Sequence, residues 1–262
     1  MRKRPTSYAE LNAVLENFIT DVQAIVRDQF IGAYLQGSFA LGDGDLHSDC
    51  DFIVVLKDGL TPDQLGRLML LHDDIPTRPG HWTRHLEGSY APARQLRDLS
   101  GLGHEWWYVD HGWRCLQRST HCNTEVVRWT LRERGITLTG PDPATLIDEV
   151  PSESLRASMR IALPTLVPDL LTWASLDIAW SQRYLVATLC RMLYTLATAE
   201  VTSKRKALAW AMTRFDDDWR PLLCQVLNDR QLGFAADQRP RPGSVEQSLA
   251  LVAHAQKIAS DW

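Results

Sequence analysis

The chain has 262 residues, of which 45% are hydrophobic and 23% are charged, and its formal net charge is −4. This composition is ordinary for a folded globular protein and argues against a disordered chain. The negative charge argues against sequence-independent nucleic-acid binding, which needs a basic surface, and favours a cationic small molecule as partner. No apolar run is long enough for a membrane span, no signal-peptide core is evident, and the five cysteines fit reduced thiols. We therefore expect a cytoplasmic protein.

The N-terminal part begins with a helix predicted over residues 7–28, in which apolar side chains recur at helical spacing. The apolar run 31–35 predicts a short buried strand that ends at Gly37 and Ser38. Glycine allows a sharp turn, and a serine hydroxyl caps the start of a helix. Free backbone N–H groups at such a helix start attract anions. We therefore predict that Gly37 and Ser38, called here the phosphate turn, bind a phosphate group.

Two aspartates follow the phosphate turn. Asp49 and Asp51 lie two residues apart beside the β-branched run 52–56, which predicts a second strand. Side chains two apart on a strand point to the same face, so both carboxylates enter one site. Mg²⁺ is usually held by one or two carboxylates together with substrate phosphates and water. The alternative is a pair of solvated surface carboxylates, but the neighbouring phosphate turn favours a magnesium site.

The rest of the first 150 residues alternates between helix and strand. Thr61-Pro62 predicts a helix start, because a cap followed by proline is the favoured order. Residues 83–90 have a short-strand pattern, and residues 124–134 and 136–139 predict a further helix and strand. This alternation predicts a mixed sheet with helices. Prolines at 141, 143 and 151 mark a domain boundary.

Residues 99–113 are less regular and unusually rich in aromatic side chains. Trp106 and Trp107 lie in this stretch, close in sequence to the acidic residues Glu105 and Asp110. Large aromatic residues usually pack in a core, but aromatic faces beside carboxylates also suit a polycationic sugar. The residues alone leave both interpretations open.

After Pro151 the apolar periodicity is helical throughout, which predicts an all-α helical bundle over residues 151–262. Serine hydroxyls are favourable helix caps. The predicted helices cover residues 152–173, 181–199, 203–214, 217–229 and 244–259, with Ser152, Ser181, Ser203 and Ser244 as predicted caps.

The Gly-Ser turn, followed about a dozen residues later by Asp-x-Asp on an apolar strand, resembles the signature of the nucleotidyltransferase superfamily related to DNA polymerase β. Members of that superfamily typically complete the site with a third carboxylate on a neighbouring strand. The resemblance therefore implies Glu87, within the strand pattern 83–90, as the catalytic base. Other acids compete for this role: Asp73 and Asp74 at the end of a predicted helix, and Glu105 and Asp110 beyond a loop.

The helical region narrows the resemblance to one family. Residues 187–194 (ATLCRMLY), Lys204 and residues 209–214 (AWAMTR) are similar to the C-terminal domain of streptomycin/spectinomycin adenylyltransferases. The Gly-Pro and Val-Pro pairs before residue 152 fit the domain junction of that family. The resemblance implies an α+β fold, in which a polymerase-β-like nucleotidyltransferase domain (1–150) precedes a helical domain (151–262) that closes on nucleotide and substrate.

The resemblance also implies an activity. It is the transfer of AMP from ATP to a hydroxyl of an aminoglycoside of the streptomycin/spectinomycin type, with Mg²⁺ held by Asp49 and Asp51, and it gives antibiotic resistance. We expect a monomer. The implied triphosphate contacts are Ser38, Ser48, Arg191 and Lys204, and the implied drug contacts are Trp106 or Trp107, Trp173 and Asp177.

The match is incomplete around the drug contacts. Trp173 and Asp177 align only if one residue is deleted between them, and Ser181 stands where the family has a further acid. This departure leaves the identity of the drug open. Arg191 and Lys204 could also be ordinary solvated charges. The remaining alternatives for the function are nucleotide transfer to a protein or RNA acceptor, and a non-catalytic nucleotide-binding relative.

Overall fold

The computed structural model describes residues 4–259, and the chain divides into two compact units, residues 1–150 and 151–262. The first unit contains a sheet covered by helices, whereas the elements described in the second unit are helical. This arrangement confirms the predicted α+β fold class. Within residues 4–259, no helix combines the length and the apolar character that crossing a bilayer requires.

The first unit alternates helices and strands. It begins with helix α1 (Ala9–Val26), strand β1 (Phe30–Leu35), the single-turn helix α2 (Gly37–Ala40), strand β2 (Cys50–Leu56) and helix α3 (Pro62–Asp74). Strand β3 (Leu86–Pro92), the short helix α4 (Ala93–Leu96), and strands β4 (Trp106–Val109) and β5 (Gln117–Ser119) follow. Helix α5 (Glu125–Arg134) and strand β6 (Ile136–Thr139) complete the unit.

Two predicted helix starts in this unit, at Thr61 and Thr124, are confirmed by their caps, but the prediction of Ser38 as a cap is wrong, because α2 already begins at Gly37. Thr61 accepts a hydrogen bond from the backbone of Gln64, whose side chain bonds back to the Thr61 N–H. Thr124 accepts from the backbone N–H of Val127 at the start of α5. Strand β4 lies in the aromatic stretch for which the sequence predicts no regular element. Its side chains are largely buried on both faces, so the apolar–polar alternation typical of a half-exposed strand is missing.

The described strands form one sheet in the order β5-β4-β3-β2-β1-β6. Strands β2 and β3 are parallel, and the other neighbouring pairs are antiparallel. The parallel register aligns Cys50 with Leu86 and Asp51 with Glu87. The beginnings of β2 and β3 therefore lie side by side, and each carries an acidic residue at its second position.

Both faces of the sheet are buried in the middle of β2. Phe52 and Val54 belong to a core that includes residues of α1 and α3. Ile53 and Val55 point the other way, into a second core that includes residues of α4 and α5. Asp51 is two residues from Ile53 and therefore lies on the α5 side of the sheet.

The second unit is built around its longest helix. Its helices are α6 (Ser152–Ala162), α7 (Leu166–Leu171), α8 (Ala179–Thr198), α9 (Lys204–Ala211), α10 (Arg220–Asn228) and α11 (Ser244–Ile258). Leu185, Leu189 and Leu193 of α8 are fully buried and belong to one core with apolar residues of α9, α10 and α11.

The prediction of a single helix over residues 152–173 is wrong. The structure has α6 and α7 there, separated by residues 163–165. Pro164 explains the break, because proline has no N–H to continue the helical hydrogen bonds and its ring clashes with the preceding turn.

The predicted serine caps have different outcomes. Ser203 caps α9 and accepts from the backbone N–H of Lys206, as predicted. Ser181 is not a cap, because α8 begins before it at Ala179 and buries the serine completely. Ser152 and Ser244 are the first residues of their helices, and each is preceded by a cap residue without a side-chain hydrogen bond.

Candidate active site

The phosphate turn is shaped by the backbone of Gly37. Its φ is +59°, a left-handed conformation that favours glycine, and a side chain at this position would overlap the carboxylate of Asp51. The preceding residue ties the turn to the acidic strand, since the Gln36 N–H donates to the carbonyl of Asp51 at 2.9 Å. Ser38 Oγ is buried and has no hydrogen-bond partner among the described residues. A phosphate oxygen would satisfy that hydroxyl.

The predicted acids gather at the same end of β2 and β3. Asp49 immediately precedes β2, Asp51 is its second residue, and the register places Glu87 of β3 next to Asp51. Alternation along the strands puts Glu87 on the face of Ser89 and Asp51 on the face of Ile53. The oxygen donors of Asp49 and Asp51 beside the phosphate turn match the ligand preference of Mg²⁺. The residues present therefore fit a magnesium ion.

Glu87 is held by two donors that the sequence did not indicate. Its side chain is 12% exposed, with the Tyr108 hydroxyl 2.8 Å and the His121 Nε2 3.4 Å from Oε1. The Tyr108 hydroxyl also lies 3.0 Å from Oδ1 of Asp110. Burial by itself raises the pKa of Glu87, but the hydrogen bonds and charge from His121, with Tyr108, hold that pKa below its ordinary value. Glu87 is therefore ionised at neutral pH and able to accept a proton.

The same contacts change the two donors. The hydrogen bond to Glu87 raises the pKa of His121, despite the opposing effect of burial. Burial, followed by the charge of Glu87, raises the pKa of Tyr108 well above its ordinary value. Tyr108 therefore stays protonated and keeps its hydrogen for the carboxylates.

Three histidine rings stack beside Asp49. The ring centroids of His81 and His85 are 4.2 Å apart, and those of His85 and His111 are 4.8 Å apart. His111 Nε2 lies 2.8 Å from His85 Nδ1, and His111 Nδ1 lies 3.3 Å from Asp49 Oδ1. Burial, followed by the neighbouring His111 and His81, lowers the pKa of His85 to about 4. The sequence did not indicate this group, because His111 comes from a different connection than His81 and His85, and only the sheet brings the two connections together.

Ser48 closes a tight turn before the acidic pair. Its hydroxyl lies 3.1 Å from Oδ1 of Asp45 and also accepts from the Asp45 N–H at 3.1 Å. The backbone N–H of Ser48 donates to the carbonyl of Asp45 at 3.0 Å. Ser48 is thus placed one residue before Asp49, and its contact with a triphosphate stays a prediction.

Three predicted site residues of the second unit, Trp173, Arg191 and Lys204, lie near one another. Arg191 of α8 donates through Nε to the carbonyl of Thr202 at 3.1 Å, just before Lys204 begins α9. The Lys204 ammonium lies 5.1 Å from the ring centroid of Tyr184, and the same ring meets Trp173 edge-on at 5.5 Å. Two cations and an aromatic surface therefore lie close together within this unit.

The predicted drug contacts differ strongly in exposure. Trp106 is 1% exposed, and its indole N–H donates to Gln95, so it packs as a core residue. Trp107 is half-buried, with the Arg118 guanidinium 5.4 Å from its ring centroid. Trp173 is 58% exposed, and Asp177 is exposed. Trp107 is therefore the more accessible of the two alternatives on β4.

Sequence comparison finds relatives along most of the chain. Residues 145–252 match the family model described as aminoglycoside adenylyltransferase, C-terminal domain. A spectinomycin 9-adenylyltransferase of Campylobacter jejuni is 25% identical over 250 residues, which cover 91% of this chain and 92% of the relative. An aminoglycoside (3'') (9) adenylyltransferase of Shigella flexneri is 25% identical over 90% of both chains.

Structural comparison shows the same fold in a solved structure. It is the crystal structure of the spectinomycin adenyltransferase AAD(9) from Enterococcus faecialis with ATP and spectinomycin. The TM-score is 0.71 at 13% sequence identity, with 94% of this chain and 98% of that chain covered. Together, the family model of the helical unit and relatives that span both units show that the chain is similar to aminoglycoside adenylyltransferases, and the solved structure shows that it shares their fold.

Proposed function

We propose that this chain transfers AMP from ATP to a hydroxyl of an aminoglycoside antibiotic of the streptomycin/spectinomycin type, releases pyrophosphate and thereby gives resistance. The observation that carries the proposal is the parallel register of β2 and β3, which puts Asp51 next to Glu87 beside the phosphate turn. The activities named for the Campylobacter and Shigella relatives support the same reaction class.

Asp49 and Asp51 are the residues that would hold Mg²⁺, since they offer carboxylate oxygens beside the phosphate turn, where the buried Ser38 hydroxyl has no partner within residues 4–259. A bound magnesium ion would supply charge neutralisation on the phosphates of ATP. The phosphate turn would bind phosphate oxygens through its backbone N–H groups and the Ser38 hydroxyl. The lack of a side chain at Gly37 leaves space for this contact.

Glu87 would act as the general base. Its ionised carboxylate would take the proton from the acceptor hydroxyl while that oxygen forms a bond to the α-phosphorus of ATP. The bond from the α-phosphorus to the bridging oxygen breaks, and pyrophosphate leaves with the bonding electron pair. Tyr108 would orient Glu87 through its hydrogen bond to Oε1. Arg191, Lys204 and Ser48 would bind the triphosphate and balance its charge.

Trp107, Trp173 and Asp177 would be drug contacts. An exposed indole face and an exposed carboxylate suit a cationic aminoglycoside. Ser181 is fully buried inside α8, so it would not replace the missing acid as a drug contact. We infer that the drug has fewer charge contacts here than in relatives that carry the further acid.

The proposal is tested by pyrophosphate release from Mg-ATP with a panel of streptomycin, spectinomycin and several deoxystreptamine aminoglycosides. The control is the Asp49→Ala/Asp51→Ala double variant. Release that needs one drug and is absent in the control would establish the reaction and identify the acceptor. Radiolabel from ATP that stays with protein or RNA would instead favour another acceptor class.

The role of Glu87 is tested separately. Glu87→Gln should keep ATP binding in calorimetry but lose most of its turnover, because the amide cannot accept the proton. Full activity in this variant would remove Glu87 from the base role. Failure of the unmodified protein to bind Mg-ATP would point to the non-catalytic alternative.

A further inference from the structure

The adenylyl transfer proposed above assigns no role to the histidine stack beside Asp49. We propose that Asp49, His85 and His111 form a binding site for a divalent transition-metal ion of the Zn²⁺ class, and that an ion there takes Asp49 away from Mg²⁺. The term transition-metal site is used below for these residues. The metal-binding part of this inference is independent of the proposed function, whereas the competition with Mg²⁺ depends on it.

The ligand atoms are already close enough for one ion. Each of the three residues offers one ligand atom, and these atoms all lie within 4.8 Å of one another. Ligands at Zn–N and Zn–O distances of 2.0–2.2 Å are at most about 4.4 Å apart on opposite sides of an ion. Side-chain movements of a few tenths of an ångström would therefore complete the site.

One ring nitrogen of the pair already directs a lone pair into this site. His111 Nε2 and His85 Nδ1 are 2.8 Å apart, so one of them must accept a hydrogen from the other. A metal ion would replace that shared hydrogen as the partner of both nitrogens, which would move apart to more than about 3 Å, because each Zn–N distance is about 2.0 Å. Deprotonation of the donor nitrogen is not needed if the hydrogen moves to the far nitrogen of the same neutral ring.

The backbone fixes where the ligands stand. Asp49 precedes β2 and His85 precedes β3, and the Cys50 N–H donates to the carbonyl of His85 at 2.7 Å. His111 follows β4, and its N–H donates to Oδ1 of Asp110 at 2.8 Å. The three ligands therefore come from the ends of three adjacent strands. The sheet holds these strand ends rigidly in place.

A further histidine orients the site from outside. The His81 ring stacks on His85 at 4.2 Å, and its Nε2 lies 3.1 Å from the carbonyl oxygen of Leu46. Such outer contacts hold metal-binding imidazoles in a fixed orientation. They also distinguish the group from a chance encounter of exposed side chains.

The donor set selects the class of ion. Two imidazole nitrogens and one carboxylate suit Zn²⁺, Co²⁺, Fe²⁺ or Ni²⁺, whereas Mg²⁺ prefers oxygen donors. Three protein ligands leave further positions for water or a phosphate oxygen. The transition-metal site and the proposed magnesium site share Asp49. A Zn²⁺-class ion and Mg²⁺ would therefore compete for the Asp49 carboxylate.

The test is a titration of the metal-free, full-length protein with Co²⁺, monitored by the visible absorption of the bound ion, followed by displacement with Zn²⁺. We expect one tightly bound Co²⁺ per chain. His85→Gln and His111→Gln should each weaken binding at least about tenfold. His104→Gln is the matched control, because His104 is an exposed histidine of the same unit outside the site, and it should bind like the unmodified protein.

Unchanged Co²⁺ affinity in both His85→Gln and His111→Gln, with folding verified by circular dichroism, would overturn the proposal. A thiolate-to-cobalt absorption band that disappears in Cys115→Ser would also overturn it, because the ion would then be bound at that exposed cysteine.

An activity measurement separates this inference from the proposed function. Zn²⁺ at a concentration that fills the site should inhibit drug-dependent pyrophosphate release, and added Mg²⁺ should relieve the inhibition. His111→Gln should need at least about tenfold more Zn²⁺ for the same inhibition, in line with its weaker binding. Co²⁺ binding without any transferase activity would support the transition-metal site and count against the proposed function. Transferase activity without Co²⁺ binding would overturn the site alone.

Discussion

Gly37 lies directly against the carboxylate of Asp51, with no room between them for a side chain. The two residues belong to the phosphate turn and to β2, and the hydrogen bond from Gln36 N–H to the Asp51 carbonyl holds these segments together. The turn that would receive the nucleotide and the acid that would hold the metal are therefore in van der Waals contact. A small change at Gly37 should move both.

Gly37→Ala should strongly reduce adenylyl transfer without unfolding the protein. The new methyl group would displace the Asp51 carboxylate, and a misplacement of about 1 Å at a reacting centre can reduce the rate about 100-fold. Gly42→Ala is the matched control, because Gly42 also has a positive φ (+76°) but open space around its Cα. Both variants should lose about 1–2 kcal/mol of unfolding free energy. Equal activities of the two variants in a steady-state assay would contradict the proposed contact.

Ser38→Ala should separate nucleotide affinity from stability. Its buried hydroxyl has no partner among the described residues, so its removal should leave the unfolding free energy unchanged or slightly higher. A hydrogen bond to a charged phosphate is worth about 1.5–3 kcal/mol, so KM for ATP should rise at least about tenfold. Thr61→Ala should behave in the opposite way, with a loss of about 1 kcal/mol from the α3 cap and no change in KM. Chemical denaturation and initial-rate kinetics on both variants would check this.

His121→Asn should shift the acid limb of the pH–rate profile to higher pH. His121 helps to hold the pKa of Glu87 below its ordinary value, so its removal raises that pKa and protonates the base earlier as the pH falls. The His121 side chain is 61% exposed, and water screens its charge. The expected shift is therefore under about one pH unit. The profile of kcat/KM for His104→Asn serves as the control, and an unshifted profile in His121→Asn would disprove the coupling.

His72 should make the stability of the first unit depend on pH. Burial lowers the pKa of His72 to about 4, and its Nε2 lies 2.8 Å from the Tyr90 hydroxyl. The unfolded chain, with an ordinary pKa near 6.5, takes up the proton first, so stability is complete above about pH 6.5 and decreases as the pH falls towards about 4. The loss should reach roughly 3 kcal/mol.

His72→Gln tests this prediction, because glutamine can keep a hydrogen bond to Tyr90 but does not titrate. Urea unfolding at several pH values should show a flatter profile for His72→Gln between pH 6.5 and pH 4 than for the unmodified protein. His104→Gln should follow the unmodified protein. Parallel profiles for all three proteins would assign the acid sensitivity to other groups.

The parts of the site that are local in sequence could be predicted from the sequence. Gly37, Ser38, Asp49 and Asp51 lie within one connection between two strands, where turn chemistry and the two-residue period of a strand are readable. Glu87 needed the resemblance to a superfamily, because the register of β2 and β3 depends on long-range pairing. Tyr108, His111 and His121 could not be found, since their approach to the acids depends on β4 and its connections.

The errors in the helical unit have a different origin. Apolar periodicity continued across Pro164, although proline itself indicated the break between α6 and α7. At α8 the preference for a polar cap suggested Ser181, but the helix begins at Ala179 after Ile178, which provides no side-chain cap. Burial of the α8 face therefore decides where this helix begins, and capping does not.

The burial of β2 on both faces has a consequence for how this fold can vary. A slip of one residue would move Asp51 to the face of Phe52 and Val54, inside the apolar core against α1 and α3. An unpaired carboxylate there would destabilise the fold severely. Misaligned forms would thus be unfolded and degraded rather than survive as enzymes with altered chemistry. Selection for a stable core therefore also preserves the alignment of the acids, whereas the exposed Trp173 and Asp177 can change without disturbing that core.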